Sequence, residues 1–262
     1  MAEQMEAKFS GKRVFFVYPH SVFQENLIQN LVDLEYEIYI LNNHKYVPAI
    51  LAKYQDAVVF FNIDKGLNKM EWEQFIRDLL SNKVGEPYSL GILSYEFHRD
   101  LAQLYLFDLA LPCGYIQLKQ SLEQATKIMT KTLEANEVKR RRKYVRYKVE
   151  EDIHLPFNAR IEGVIRNGKI LDISSAGLAL VFDAEELNIP KNLLLTDIQL
   201  NLVGKRILVS GVILGHREVP EQGKTVYVLV FDARVSGDTK GVIRKYVNKM
   251  LQGIMEKEFS FS

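Results

Sequence analysis

The 262-residue chain has a single cysteine, a single tryptophan and almost no net charge, since 34 basic side chains against 33 acidic ones leave +1 with neutral histidines. Each scarcity excludes something. A lone thiol, Cys113, forms no internal disulfide and has no thiol partner at metal-ligand spacing, so it reads as a buried structural thiol in a reducing compartment. His20, His44, His98, His154 and His216 never pair at ligand spacing either. Near-neutrality argues against wholesale adhesion to nucleic acid or membrane. No apolar run approaches the length of a bilayer span, and the opening MAEQMEAKFSGK has acidic residues where a leader would have an apolar core. A cytoplasmic protein without membrane insertion is expected. GxSxG, HExxH, P-loop and GxGxxG patterns are all missing, so neither an enzyme nor a bound cofactor or metal is expected.

What the chain does have is enough apolar residue, 47%, for two medium cores, and a change of texture near residue 140. Before it, Val14 to Tyr18, Glu37 to Leu41, Ala57 to Ile63, Tyr88 to Ser94 and Gly114 to Leu118 read as strands. Helical patterns alternate with them. One starts at Ser21, with Gln24 as its capping-box partner, and puts Val22, Phe23, Leu27, Ile28, Leu31 and Val32 on one face. A second follows Asn68 and Glu71 and carries Trp72, Phe75, Ile76, Leu79 and Leu80. A third starts at Ser121, again with a glutamine three residues on, and carries Leu122, Ala125, Ile128, Met129 and Leu133. Strands separated by helices predict an α/β domain with a parallel sheet over residues 1–135. The dense aromatics Tyr36, Tyr39, Tyr46, Tyr54, Phe60 and Phe61 are assigned to its core.

That element order resembles the receiver domains of two-component signalling. Asp64, Ser94 and Lys119 stand near the positions of the receivers' phospho-acceptor, hydroxyl and lysine. Where receivers hold Mg²⁺ with an acidic pair, however, this chain reads Tyr18-Pro19-His20, and no phosphotransfer is expected.

After residue 150 the texture is antiparallel. His154 to Ile161, Lys169 to Ser174, Leu178 to Phe182, Ile198 to Leu202, Ile207 to Leu214 and Thr225 to Phe231 are strand candidates. Turn signals join them at Asn167-Gly168, Val203-Gly204-Lys205 and Glu221-Gln222-Gly223. Six short strands so spaced predict a closed barrel over residues 151–262. It is followed by a helix bearing Val242, Ile243, Tyr246, Val247, Met250, Leu251, Ile254 and Met255, expected to plug or flank the barrel.

Between the two parts, residues 136–150 form a basic linker. Lys139, Arg140, Arg141, Arg142, Lys143, Arg146 and Lys148 stand within ten residues, and a generic anion patch is the plain reading of such a run. Asp172-Ile173-Ser174-Ser175-Ala176-Gly177 between two apolar runs is, taken alone, a turn. Together they make an RxxxR, Arg142 to Arg146, followed 26 residues later by a DxSxxG. This pair resembles the signature of PilZ domains, receptors for the bacterial second messenger cyclic di-GMP. The chemistry agrees with the resemblance, because a guanidinium fork matches both a phosphate and the O6/N7 edge of guanine.

The resemblance implies a ligand site of Arg141, Arg142, Arg146, Asp172, Ser174 and Gly177. Arg142 and Arg146 would clamp the ligand from the linker, and Asp172 and Ser174 would meet the guanine edge. Gly177 would let the base approach the backbone. Arg141 occupies a position that in PilZ proteins bears on whether one or two ligand molecules are held. Size and two-part layout also resemble the PlzA-type proteins of spirochaetes, whose N-terminal region is PilZ-related, which makes a second barrel the alternative for residues 1–135. The function implied is a cyclic di-GMP receptor that changes its interdomain arrangement on binding and acts on motility or another second-messenger output through an unidentified downstream protein. The alternative is a nucleic-acid partner, tracked by the basic linker with Tyr144 and Tyr147 stacking on bases. His216 and Arg217, expected at a strand end, are weaker candidates.

Overall fold

A computed structural model of the chain describes residues 12–19, 22–81, 88–138, 143–183, 187–202, 204–219 and 224–259. It divides into two compact units, Met1–Lys143 together with Gln252–Ser262, and Tyr144–Leu251.

The first unit has five strands, β1 (Val14–Val17), β2 (Ile38–Leu41), β3 (Val58–Asn62), β4 (Ser89–Ser94) and β5 (Tyr115–Gln117). They are all parallel in the order β2-β1-β3-β4-β5. Val-Phe-Phe-Val in β1 and Val-Val-Phe-Phe-Asn in β3 are buried at every position, as strands covered on both faces must be. Successive residues point to opposite faces. Phe60 joins the core made with Leu27 and Leu31 of helix α1 (Val22–Asp33) and with Ala125, Met129 and Leu133 further along the chain. Phe61, on the other face, lies 5.5 Å from the Trp72 ring.

Three further helices follow α1, namely α2 (Val47–Lys53), α3 (Lys69–Ser81) and α4 (Arg99–Gln103), and α5 (Leu122–Ala135) ends the unit's continuous part. The cap at Ser121 is the one the residue spacing predicts, and Asn68 and Glu71 make a further one. Before α3, Asn68 Oδ1 accepts from the Glu71 amide at 3.0 Å while Glu71 Oε2 accepts from the Asn68 amide at 2.9 Å. Before α5, Ser121 Oγ accepts from the Gln124 amide at 3.2 Å. The expected Ser21 cap lies outside the described residues. Ile128, predicted on the buried stripe of α5, is exposed, because Ala125, Met129 and Leu133 alone complete that face. Cys113 is buried, and burial pushes its thiol up to about 12, the behaviour of a structural cysteine. A parallel sheet cannot be a PilZ-like barrel, so the second-barrel alternative for residues 1–135 is overturned.

The second unit is built from β6 (Arg146–Lys148), β7 (Pro156–Ile161), β8 (Val164–Ser174), β9 (Gly177–Phe182), β10 (Leu194–Leu202), β11 (Lys205–Val219) and β12 (Lys224–Phe231). Six of them close an antiparallel barrel in the order β8-β7-β10-β11-β12-β9, with β9 returning to β8. The seventh, β6, pairs with the far end of β8. One turn differs from expectation. Asn167 and Gly168 lie inside β8, and the β7–β8 reversal is at Glu162-Gly163, whose φ values of 50° and 81° are those of a tight hairpin. Gly168 serves close packing instead. A Cβ there would stand 2.2 Å from the Val181 carbonyl oxygen and 2.6 Å from the Phe157 ring.

The chain ends its described part in α6 (Gly237–Phe259), which buries Ile243, Tyr246, Val247 and Met255. Among the described residues no helix is long and apolar enough to cross a membrane.

The glycine argument is testable. Gly168→Ala is expected to lower stability by about 1–3 kcal/mol, as overpacking does. Gly215→Ala, whose Cβ meets open space, is expected to stay within about 0.5 kcal/mol of the parent. Urea denaturation followed by circular dichroism measures both, and equal effects would contradict the packing account.

Candidate functional site

The DxSxxG segment forms the tight β8–β9 hairpin. Asp172 and Ser174 end β8, Ser175 and Ala176 make the turn, and Gly177 pairs back with Ser174. Ser174 Oγ donates to the Gly177 carbonyl and accepts from the Ala176 amide, both at 3.3 Å, and the residue is 4% exposed. The hydroxyl expected to meet a guanine therefore also closes its own turn. Gly177 has a structural reason of its own, since a Cβ there would lie 2.1 Å from the Leu229 carbonyl oxygen of β12.

Beside this hairpin lies β6. Its register sets Arg146 opposite Ser174, Tyr147 opposite Ile173 and Lys148 opposite Asp172. Directly paired residues share one face of a sheet. Tyr147 and Ile173, both 0% exposed, point into the barrel, as do Leu178 and Leu229. The Tyr147 ring meets Tyr246 of α6 edge-on, with centroids 6.1 Å apart. Arg146 and Lys148 then point outward and are exposed. The same outer face continues through Asp172 and Ser174 to Ala179 and on to Val228 and Val230 of β12, 40% and 37% exposed.

The arrangement is a planar fork and an ammonium on one row, a carboxylate and a hydroxyl on the next, and a low apolar surface beyond. Such a face offers charged donors to phosphate, an acceptor to a base edge and an apolar bed to a flat ring. Arg146, expected on a mobile linker, is held in a ladder instead, because burying Tyr147 fixes its two neighbours. Burial also removes Tyr147 as a base-stacking platform. Arg141 and Arg142 lie outside the described residues.

The remaining candidates fall elsewhere. His216 and Arg217 lie within β11, exposed, opposite Tyr227 and Val226, and are not at a strand end. In the first unit the receiver-like residues are turned to structural use. The Asp64 carboxylate accepts from Ser94 Oγ at 2.8 Å and from the Tyr95 amide at 2.6 Å. Lys119 pairs with Glu96 at 2.9 Å, which raises the lysine's pKa and lowers the carboxylate's. Among the described residues no group of three metal-ligand side chains comes together. Unforeseen in the sequence is an aromatic cluster at the C-terminal ends of β1 and β3. There Tyr18 is hydrogen-bonded to His44 Nδ1 at 3.0 Å, and Trp72 and Phe75 surround the imidazole at 5.6 and 4.9 Å. Helical spacing links Trp72 and Phe75, but no local period links them to Tyr18 and His44, which the parallel crossovers bring beside them.

With this geometry in view, the family model of the PilZ domain matches residues 140–249, the stretch holding both motifs and all seven strands of the second unit. Residues 140–249 are a PilZ domain. The PilZ region is similar to the "PilZ domain with c-di-GMP of YcgR from Escherichia coli", at 11% identity and TM-score 0.40, covering 47% of this chain and all of that one. It is similar also to the Bacillus subtilis inhibitor of motility MotI/DgrA, at 19% identity and TM-score 0.38, over 44% of this chain and 52% of that one. A third similar structure is the K. pneumonia MrkH–c-di-GMP complex, at 20% identity and TM-score 0.36, over 48% of this chain and 57% of that one. The match thus spans about half the length of the latter two proteins. No curated sequence matches the chain.

Tyr147 is the buried peg of β6. Tyr147→Ala is expected to cost about 3–5 kcal/mol, as other buried aromatic truncations do, and to free β6 from β8. Amide exchange at residues 146–148 and 172–174 should rise in the variant. Protection equal to that of the parent would contradict the anchoring role.

Proposed function

We propose that the chain is a non-enzymatic cyclic di-GMP receptor whose PilZ domain binds the ligand on the outer face of β6, β8 and β9. The observation that carries this reading is the register of β6, in which two outward cations, Arg146 and Lys148, flank Ser174 and Asp172 of the DxSxxG hairpin. Cyclic di-GMP offers two phosphates and two guanine edges, the groups that a guanidinium fork and a carboxylate recognise. In this reading Arg146 meets a phosphate or the O6/N7 edge, and Asp172 accepts from the guanine N1 and N2 hydrogens. Arg141 and Arg142, just ahead in sequence, close over the other side of the ligand.

The finer proposal concerns output. Closing the RxxxR segment over a ligand draws in the stretch that precedes β6, and ordering each residue of it costs about 1–2 kcal/mol, to be recovered from contacts made in the bound state. Occupancy would then shift the interdomain arrangement, and a downstream protein, for instance in motility, would read the difference. A nucleic-acid partner has less behind it, with Tyr147 buried.

Calorimetric titration of the full chain with cyclic di-GMP is expected to give a dissociation constant near micromolar, about −8 kcal/mol. Arg146→Ala is expected to lose about 1.5–3 kcal/mol, roughly tenfold to 150-fold in affinity, and Asp172→Ala a similar amount. Parent-like binding by both variants would overturn the site.

A further inference from the structure

On the barrel wall, away from the PilZ motif, lies a polar depression of about 400 Å³. Asn167 on its rim is seven residues back along β8 from Ser174, roughly 23 Å at the ordinary strand rise. Its construction is unusual for a sheet surface. Gln199 of β10, Asn158 of β7 and Asn167 of β8 stand directly opposite one another in register, forming a row of three carboxamides across three adjacent strands. Asn201, next on the same face of β10, pairs with Arg206 of β11. All five line the depression.

Asparagine is depleted in strands, where threonine and valine fit better, so three asparagines in strand interiors work against the local propensity of β7, β8 and β10. No contact within the domain compensates. None of the four carboxamides has a side-chain hydrogen-bond partner among the described residues. Solubility alone is equally well met by threonine, lysine or glutamate.

We propose that this depression is a second binding site, for a neutral, multiply hydroxylated ligand of the saccharide class. The chemistry selects the class. Each carboxamide offers donors and an acceptor in one plane, the complement of a pair of neighbouring hydroxyls. The charged groups on the rim, Arg206 and Asp183, oppose each other in sign, so the site is not built for a polyanion. Pro156, exposed at the start of β7, supplies a small apolar surface, which suits the C–H face of a sugar ring. Strands repeat every ~4.8 Å across a sheet, so a short extended glycan lying across β10, β7 and β8 would meet one carboxamide per strand. This site is independent of the cyclic di-GMP reading.

The test is a titration of the ¹⁵N-labelled full chain with cellotriose and with maltotriose, following the side-chain amide signals. The parent is expected to show shifts at Asn158, Asn167 and Gln199 with a dissociation constant on the order of 1 mM. The double variant Asn158→Thr, Gln199→Thr keeps the strands, as an otherwise unchanged backbone spectrum would verify, and is expected to bind at least about tenfold more weakly, a loss of about 1.4 kcal/mol. Absence of shifts with both saccharides overturns the proposal, as do equal shifts in the variant. Shifts with inorganic phosphate alone overturn the ligand class. Shifts of these amides with cyclic di-GMP and not with saccharide would assign the depression to the nucleotide site instead.

Discussion

The proposed site on the PilZ domain depends on where one side chain points. In the three-residue strand Arg146-Tyr147-Lys148, strand alternation allows either the tyrosine inside and both cations outside, or the reverse. Burial decides it. Tyr147 is 0% exposed against Ile173 and Tyr246, and the reverse choice would put two charges into an apolar interior at a cost of several kcal/mol each. The outward direction of Arg146 and Lys148, and their alignment with Ser174 and Asp172, follow from that choice. The hairpin beside them is held by its own contacts. Ser174 closes the turn, and Gly177 is the residue that lets β9 approach β12. The proposed recognition face thus draws on positions that also hold the barrel together.

The first unit shows the same economy of residues with a different result. Its parallel sheet brings Asp64, Ser94 and Lys119 to the C-terminal ends of strands, where open α/β sheets usually bind ligands. Yet Asp64 is engaged by the Ser94 hydroxyl and the Tyr95 amide, and Lys119 by Glu96. Tyr18, which stands where an acidic pair would hold a cation, is bonded to His44 and packed beside Trp72.

How far the sequence could be read depended on the range of the forces involved. All five parallel strands were legible, because strands buried on both faces show as continuous apolar runs, and so was the cap at Ser121, which acts over three residues. The six-stranded barrel was also legible, from short strands at regular spacing joined by turn signals. The β7–β8 turn was not. Asn167-Gly168 has turn composition, but the glycine answers to the Phe157 ring and the Val181 carbonyl, both from other strands. The short α2 and α4 escaped for a different reason, being too brief for a 3.6-residue period to emerge, and α2 carries a proline in its first turn. Of the candidate site, Arg146, Asp172, Ser174 and Gly177 were singled out from their spacing, and the fold sets Arg146 opposite Ser174. That Arg146 belongs to a strand depends on Tyr147 having a buried partner surface 26 residues away, which spacing does not encode.

A crystal structure of the full chain with cyclic di-GMP tests the account most directly. The account predicts a guanine or phosphate of the ligand within hydrogen-bond distance of the Arg146 guanidinium, with Asp172 at a guanine edge and β6 still paired with β8. A ligand held elsewhere on the chain, or bound with Arg146 out of reach of it, would contradict the account.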